Sequence, residues 1–83
     1  HYFMVKDKIA FDPSQSANGL MDKVAGHFKS FPQDDRDGLK INLPDSWVQL
    51  RKSNTEPILR IYAEGKTLAQ ASQLVSEVKS LLS

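Results

Sequence analysis

Cysteine is missing from all 83 residues, which excludes a disulfide framework and a thiolate metal site. Only two histidines occur, His1 and His27, and their separation argues against a zinc site. Four glycines and four prolines are too few for a fibrous or low-complexity chain. Nothing approaches the roughly 18–20 apolar residues of a membrane span, and no signal peptide precedes the folded pattern. An excess of charge of one sign is lacking too, with 11 Lys and Arg against 10 Asp and Glu. A domain built around nucleic acid carries a large basic excess on one face, so any anion specificity here must be local. These absences describe a soluble chain of cytoplasmic origin, with neither membrane nor nucleic acid among its expected partners.

What remains is the composition of an ordinary folded domain, 40% hydrophobic and 25% charged. So short a chain buries only about 60% of the surface its unfolded form exposes, and one core is the most it can hold. His1 is followed at once by the apolar alternation "YFMVKDKIAF", with no initiator methionine. The expectation is one domain over residues 1–83, cut from a larger protein, with no role for His1 itself.

Periodicity divides the chain further. Phe3, Val5, Ile9 and Phe11 share one parity and Lys6 and Lys8 the other, the pattern of a half-buried strand over residues 5–11. Asp12, Pro13, Ser14, Ser16 and Asn18 are turn and cap residues, and Leu20, Met21, Val24, Ala25, Phe28 and Phe31 then recur at helical spacing. Gly19 and Gly26 weaken that helix by about 1 kcal/mol each if interior, so packing must hold it. His27 flanks the apolar stripe and reads as an exposed helix residue. The run "DDRD", Asp34 to Asp37, lacks a glycine-bearing calcium loop and reads as a solvated loop before the turn residue Gly38.

Leu39, Ile41 and Leu43 alternate with Lys40 and Asn42, and the turn "PDS" leads into residues 47–51. There Val48 and Leu50 share one face, and Trp47, Gln49 and Arg51 the other. Residues 58–64 form the next strand, with Leu59, Ile61 and Ala63 on one side and Arg60, Tyr62 and Glu64 on the other. Thr67 with Gln70 three residues on is a capping box, and Leu68, Ala71, Leu74, Val78 and Leu81 mark the closing helix. The order β-α-β-β-β-α describes an α+β domain, a four-stranded, largely antiparallel sheet with two helices on one face, in a TATA-binding-protein-like arrangement. Its other face is left for a partner or a neighbouring domain.

Between the last two strands lies "RKSNTEP", Arg51 to Pro57. A phosphate monoester offers three terminal oxygens: the Arg51 fork can take two, and the Ser53 and Thr55 hydroxyls and the Asn54 amide can take the rest. Successive main-chain N–H groups can add a concave nest, and Arg60 a second cation. Equally, Ser-Asn-Thr can be plain turn formers and Arg51 and Lys52 surface cations. The loop lacks the glycines and terminal Lys-Ser/Thr of a P-loop. No nucleophile and base stand at a recognisable spacing, so catalysis by this chain alone is not expected.

The stretch "DGLKINLPDSWVQLRKSNTEPILRIYAEGKT", with the "YFMVKDKI" opening and the closing helix, resembles the C-terminal domain of the α-D-phosphohexomutases, a family that includes phosphoglucomutase, phosphomannomutase and phosphoglucosamine mutase. The resemblance implies a four-domain parent. A phosphoserine in its first domain passes a phosphoryl group to a hexose phosphate, and the resulting hexose bisphosphate reorients before the other phosphate returns. Magnesium, bound by a domain absent here, assists. The last domain grips the phosphate that is not being transferred, a role that maps onto Arg51, Ser53, Asn54 and Thr55, with Arg60 matching a further family arginine. Lys52 departs from the proline that many relatives carry there. The loop is similar to those of phosphoglucosamine mutases and phosphomannomutase/phosphoglucomutases alike. The alternative is a noncatalytic α+β module for protein or RNA, using Trp47 and Tyr62 on an open sheet face.

Overall fold

Period-2 alternation builds one sheet. The structure is a computed structural model that describes residues 2–83, so the expectation for His1 lies outside the described residues. Among the described residues the elements are β1 (Phe3–Ala10), α1 (Ala17–His27), β2 (Gln33–Asp34), β3 (Leu39–Asn42), β4 (Trp47–Lys52), β5 (Ile58–Gly65) and α2 (Leu68–Leu82). The sheet runs β1-β5-β4-β3-β2 with every neighbouring pair antiparallel. The α+β class is as expected; the strand count is five rather than four.

The extra strand, β2, is too short to show alternation. It is recruited by tertiary contacts: the Asn42 N–H donates to the Pro32 carbonyl, and the Gln33 side-chain amide donates to the Ala25 and Phe28 carbonyls at the end of α1. Asp34 of the "DDRD" run is thereby drawn into the sheet, while Asp35, Arg36 and Asp37 remain exposed. β1 also begins two residues earlier than residue 5, because Phe3 and Met4 find register partners in Gly65 and Glu64.

Leu39, Ile41, Val48, Leu50, Leu59, Ile61 and Ala63 are buried on one sheet face, against Leu20, Val24 and Phe28 of the α1 region and Ala71, Leu74, Val75 and Val78 of α2. Both helices therefore cover that face, as the alternating pattern requires. Ser16 caps α1 by accepting from the Gly19 N–H, and Thr67 caps α2 by accepting from the Gln70 N–H. The Gln70 side chain reaches back to the Lys66 N–H, one residue before the usual capping-box donor. His27 is exposed, as expected, and its Nε2 lies 2.7 Å from Glu77 Oε2, tying α1 to α2. Edge strand β1 carries Asp7 on its helix-side parity, where Lys79 of α2 meets it at 3.0 Å. An inward charge of this kind discourages edge-to-edge pairing. No helix among the described residues is long and apolar enough to cross a membrane.

Two measurable consequences arise here. Gly26 lies inside α1, and a Cβ there would meet nothing within 4 Å. Gly26→Ala is expected to stabilise the domain by about 0.5–1 kcal/mol, raising the thermal midpoint by a few degrees. Asp34 accepts hydrogen bonds from the Arg36 guanidinium and N–H, which lower its carboxyl pKa to about 2. Because that folded value lies below the unfolded one, the contribution is complete above about pH 4 and is lost as pH falls towards 2. Asp7, held down by the Lys8 N–H and Lys79, shifts in the same direction. A carboxyl-carbon NMR titration should place the Asp34 midpoint near 2 and raise it in Arg36→Ala, short of the free value because the residue-36 N–H still donates to Asp34.

Candidate functional site

The Arg51–Pro57 segment joins β4 to β5 and is pinned at its base. The Ser53 N–H donates to the Ile58 carbonyl at 3.0 Å, and the Phe11 N–H donates to the Pro57 carbonyl at 2.9 Å, tying the loop exit to the end of β1. Inside the loop the Thr55 N–H donates to Ser53 Oγ at 3.3 Å, and the two hydroxyl oxygens lie 3.5 Å apart. The main-chain nest expected here is not formed. The Ser53 and Thr55 N–H groups are spent within the loop, and no described residue other than Gly38 has positive φ, so the alternation of handedness that builds such a nest is absent. Among the described residues the Asn54 and Glu56 N–H groups make no hydrogen bond, and the Ser53 and Thr55 hydroxyls lie side by side.

Arg51 and Arg60 are brought together. They are direct cross-strand partners, and Lys8 of β1 is the partner of Arg60 on its other side. Leu59 and Ile61 flank Arg60 and are fully buried towards the helices, so the Arg60 side chain belongs to the helix-free face. Directly opposed residues point to the same side, which puts Lys8, Arg60 and Arg51 in one exposed row beside the loop. Parity alone left the relation of Arg60 to the loop open; the register supplies it.

Asp37 is a partner for Arg51 that the sequence did not point to: its Oδ1 lies 3.2 Å from Arg51 Nη2. Both side chains are exposed, so the pair contributes at most about 1 kcal/mol and a better anion can displace it. Beside it, Gly38 has φ of 75°, and a Cβ there would stand 2.3 Å from the Leu50 carbonyl oxygen and 3.2 Å from Arg51 Cγ. The "DG" pair therefore makes room for the Arg51 stem. Only its position before a strand hints at this, since the contact depends on how the hairpin folds back.

A cleft of about 540 Å³ opens on the other side of the loop. Arg51, Lys52 and Asn54 line one wall, and Asp22, Asp35 and Asp37 are among the polar and apolar residues that line the rest. No cluster of three or more His, Asp or Glu fit to hold a metal ion occurs among the described residues. On the helix-free face Trp47 is half-buried with the Lys40 ammonium 4.7 Å from its ring centroid, so that ring face is already occupied. Tyr62 is half-buried on the same face, between Lys6 and Gln49.

Comparison with known proteins bears on this loop and on the strands that hold it. The family model "Phosphoglucomutase/phosphomannomutase, C-terminal domain" matches residues 5–81. A phosphoglucosamine/phosphogalactosamine mutase of Sulfurisphaera tokodaii is 36% identical over 83 residues, covering 98% of this chain and 18% of that protein. A phosphomannomutase of Methanocaldococcus jannaschii is 36% identical over 63 residues, covering 76% of this chain and 14% of the relative. A phosphoglucomutase/phosphomannomutase of Thermococcus kodakarensis is 36% identical over 74 residues, covering 87% and 16% respectively. The chain thus spans less than a fifth of the length of each of these relatives. With nearly its whole length matched, the chain belongs to the C-terminal domain family of the phosphoglucomutases and phosphomannomutases.

Proposed function

We propose that this chain is the substrate-phosphate-binding domain of a four-domain cytoplasmic phosphohexomutase that interconverts hexose 1-phosphates and 6-phosphates. The observation that carries this reading is the pairing of Arg51 with Arg60 at the base of a loop rich in hydroxyls. Like charges directly opposed across two strands cost about 0.2–1 kcal/mol, a cost that a bound dianion removes. Arg51 meets two phosphate oxygens through its planar fork, the Ser53 and Thr55 hydroxyls donate to the rest, and the Asn54 amide closes the loop side.

Such a grip acts through binding energy. Holding the nonreacting phosphate orients the sugar, and positioning with electrostatics carries most phosphoryl transfer. Contacts to phosphate alone also tolerate either end of a bisphosphate intermediate. The phosphoserine, and the magnesium ion that would stabilise the charge on the moving phosphoryl group, belong to other domains of the parent.

The test is an amide chemical-shift titration of this chain with glucose 1-phosphate, with sulfate and unphosphorylated glucose as controls. Shifts at Arg51 to Thr55 and Arg60 with the phosphosugar but not with glucose support the reading. The absence of any response up to tens of millimolar, well past the ~1 mM scale worth about 4 kcal/mol, overturns it.

A further inference from the structure

Two surfaces meet at the Arg51–Pro57 loop, and they differ in charge. The cleft beside α1 presents three carboxylates, Asp22, Asp35 and Asp37, against two cations, Arg51 and Lys52. The helix-free sheet face presents Lys8, Arg60 and Arg51 in a row across β1, β5 and β4, with no carboxylate among the three. Among the described residues neither Lys8 nor Arg60 makes a salt bridge. Like charges set directly opposite one another destabilise a sheet, and here two such pairs share Arg60.

We propose that the phosphate is held on the helix-free face over Arg60, with Lys8 of β1 as its third cation, and not in the cleft beside α1. This rests on the phosphate-binding reading above and deepens it. Neighbouring strands lie about 4.8 Å apart, so Lys8 and Arg51 are about 10 Å apart at the backbone, within reach of a phosphate over the residue between them once Arg51 exchanges Asp37 for it. A phosphomonoester carries close to two negative charges at neutral pH, which one arginine fork does not neutralise. Besides the Asp37 that pairs with Arg51, the cleft holds Asp22 and Asp35, which repel that dianion, whereas Lys8 and Arg60 have no carboxylate partner among the described residues. The ligand class is therefore a sugar phosphomonoester in its dianionic form. Lys8 makes the site prefer that dianion to a monoanionic sulfate ester of the same sugar.

The experiment measures dissociation constants for glucose 1-phosphate, and for glucose 6-phosphate against glucose 6-sulfate, by amide-shift titration of five chains: unaltered, Lys8→Ala, Lys8→Arg, Lys52→Ala and Arg51→Ala. Lys8→Ala should bind roughly 10-fold more weakly and lose most of the preference for phosphate over sulfate. Lys8→Arg should recover both, and Lys52→Ala should stay within about 2-fold of the unaltered chain. Ligand-induced shifts should appear at Lys8 and Arg60 and spare Asp22 and Asp35. If Lys8→Ala binds normally while Arg51→Ala does not, or if the shifts fall on Asp22 and Asp35, the sheet-face placement is wrong and the phosphate grip survives. If the unaltered chain and Arg51→Ala respond alike, both readings fail together.

Discussion

Replacing Arg51 by alanine is expected to weaken phosphosugar binding by about 10- to 150-fold while leaving the fold intact. Hydrogen bonds to charged groups contribute about 1.5–3 kcal/mol each in net terms, which sets that range. Little of the loss should come from folding. Arg51 is half-exposed, its pair with Asp37 at 3.2 Å lies at the surface, and removing it relieves its opposition to Arg60. Arg51→Lys keeps the charge and loses the planar fork, so it should fall between the two. Shift titrations paired with thermal melts check this; a melt lowered by many degrees with unchanged affinity would contradict it. In the proposed four-domain mutase the same substitution should lower kcat/KM by a comparable factor.

Gly38→Ala should have the largest effect on stability. A non-glycine residue at the observed φ of 75° carries strain of about 1–3 kcal/mol. The added Cβ would also stand 2.3 Å from the Leu50 carbonyl oxygen, which is backbone in the middle of the sheet and cannot turn away as a side chain can. Relieving that contact means shifting β4, at a further cost of about 1–3 kcal/mol. Against a total of about 4–12 kcal/mol for a chain of this length, a loss of about 2–6 kcal/mol removes roughly half of the stability. Urea unfolding measures it directly: the midpoint should fall by about 2 M or more for a small protein with a slope near 1 kcal/mol/M. The same chemical change at Gly26 is expected to stabilise, since that Cβ would enter open space. A neutral result at Gly38 would mean that the turn before β3 relaxes freely.

The parts of the fold that were legible in the sequence are those whose stabilising contacts are local or strictly periodic. Thr67 and the stripe through Ala71, Leu74 and Val78 define α2, and the alternation of Leu39, Ile41, Val48, Leu50, Leu59 and Ile61 defines the central strands and the face they bury. β2 was not legible, because two residues carry no period and its hydrogen bonds come from Pro32, Asn42 and the end of α1. The loop was legible in composition, and the resemblance agrees with the family match. Its internal geometry was not legible: the hydroxyl of Ser53 captures the Thr55 N–H that a nest would need, a contact set by torsion angles rather than residue type. The pairing of Arg51 with Asp37 and the row through Lys8 depend on register between distant segments, which no local pattern encodes.

The placement of β1 at the sheet edge beside β5 also governs how the molecule comes into being. Among the described elements β1 is made before the others, yet its strand partner, β5, is made after every other described strand. Until residues 58–65 emerge, Val5 and Ile9 have no sheet to join, and Phe3 and Met4 are exposed on an unpaired strand. Closing so long a loop is slow compared with forming the β3–β4–β5 meander, so the meander should form early and β1 dock late. Lys8 meets Arg60 only at that final step, and so the cationic row does not exist in any partly folded chain. The domain therefore forms its Arg51–Arg60 pair first and adds the third cation of the row last.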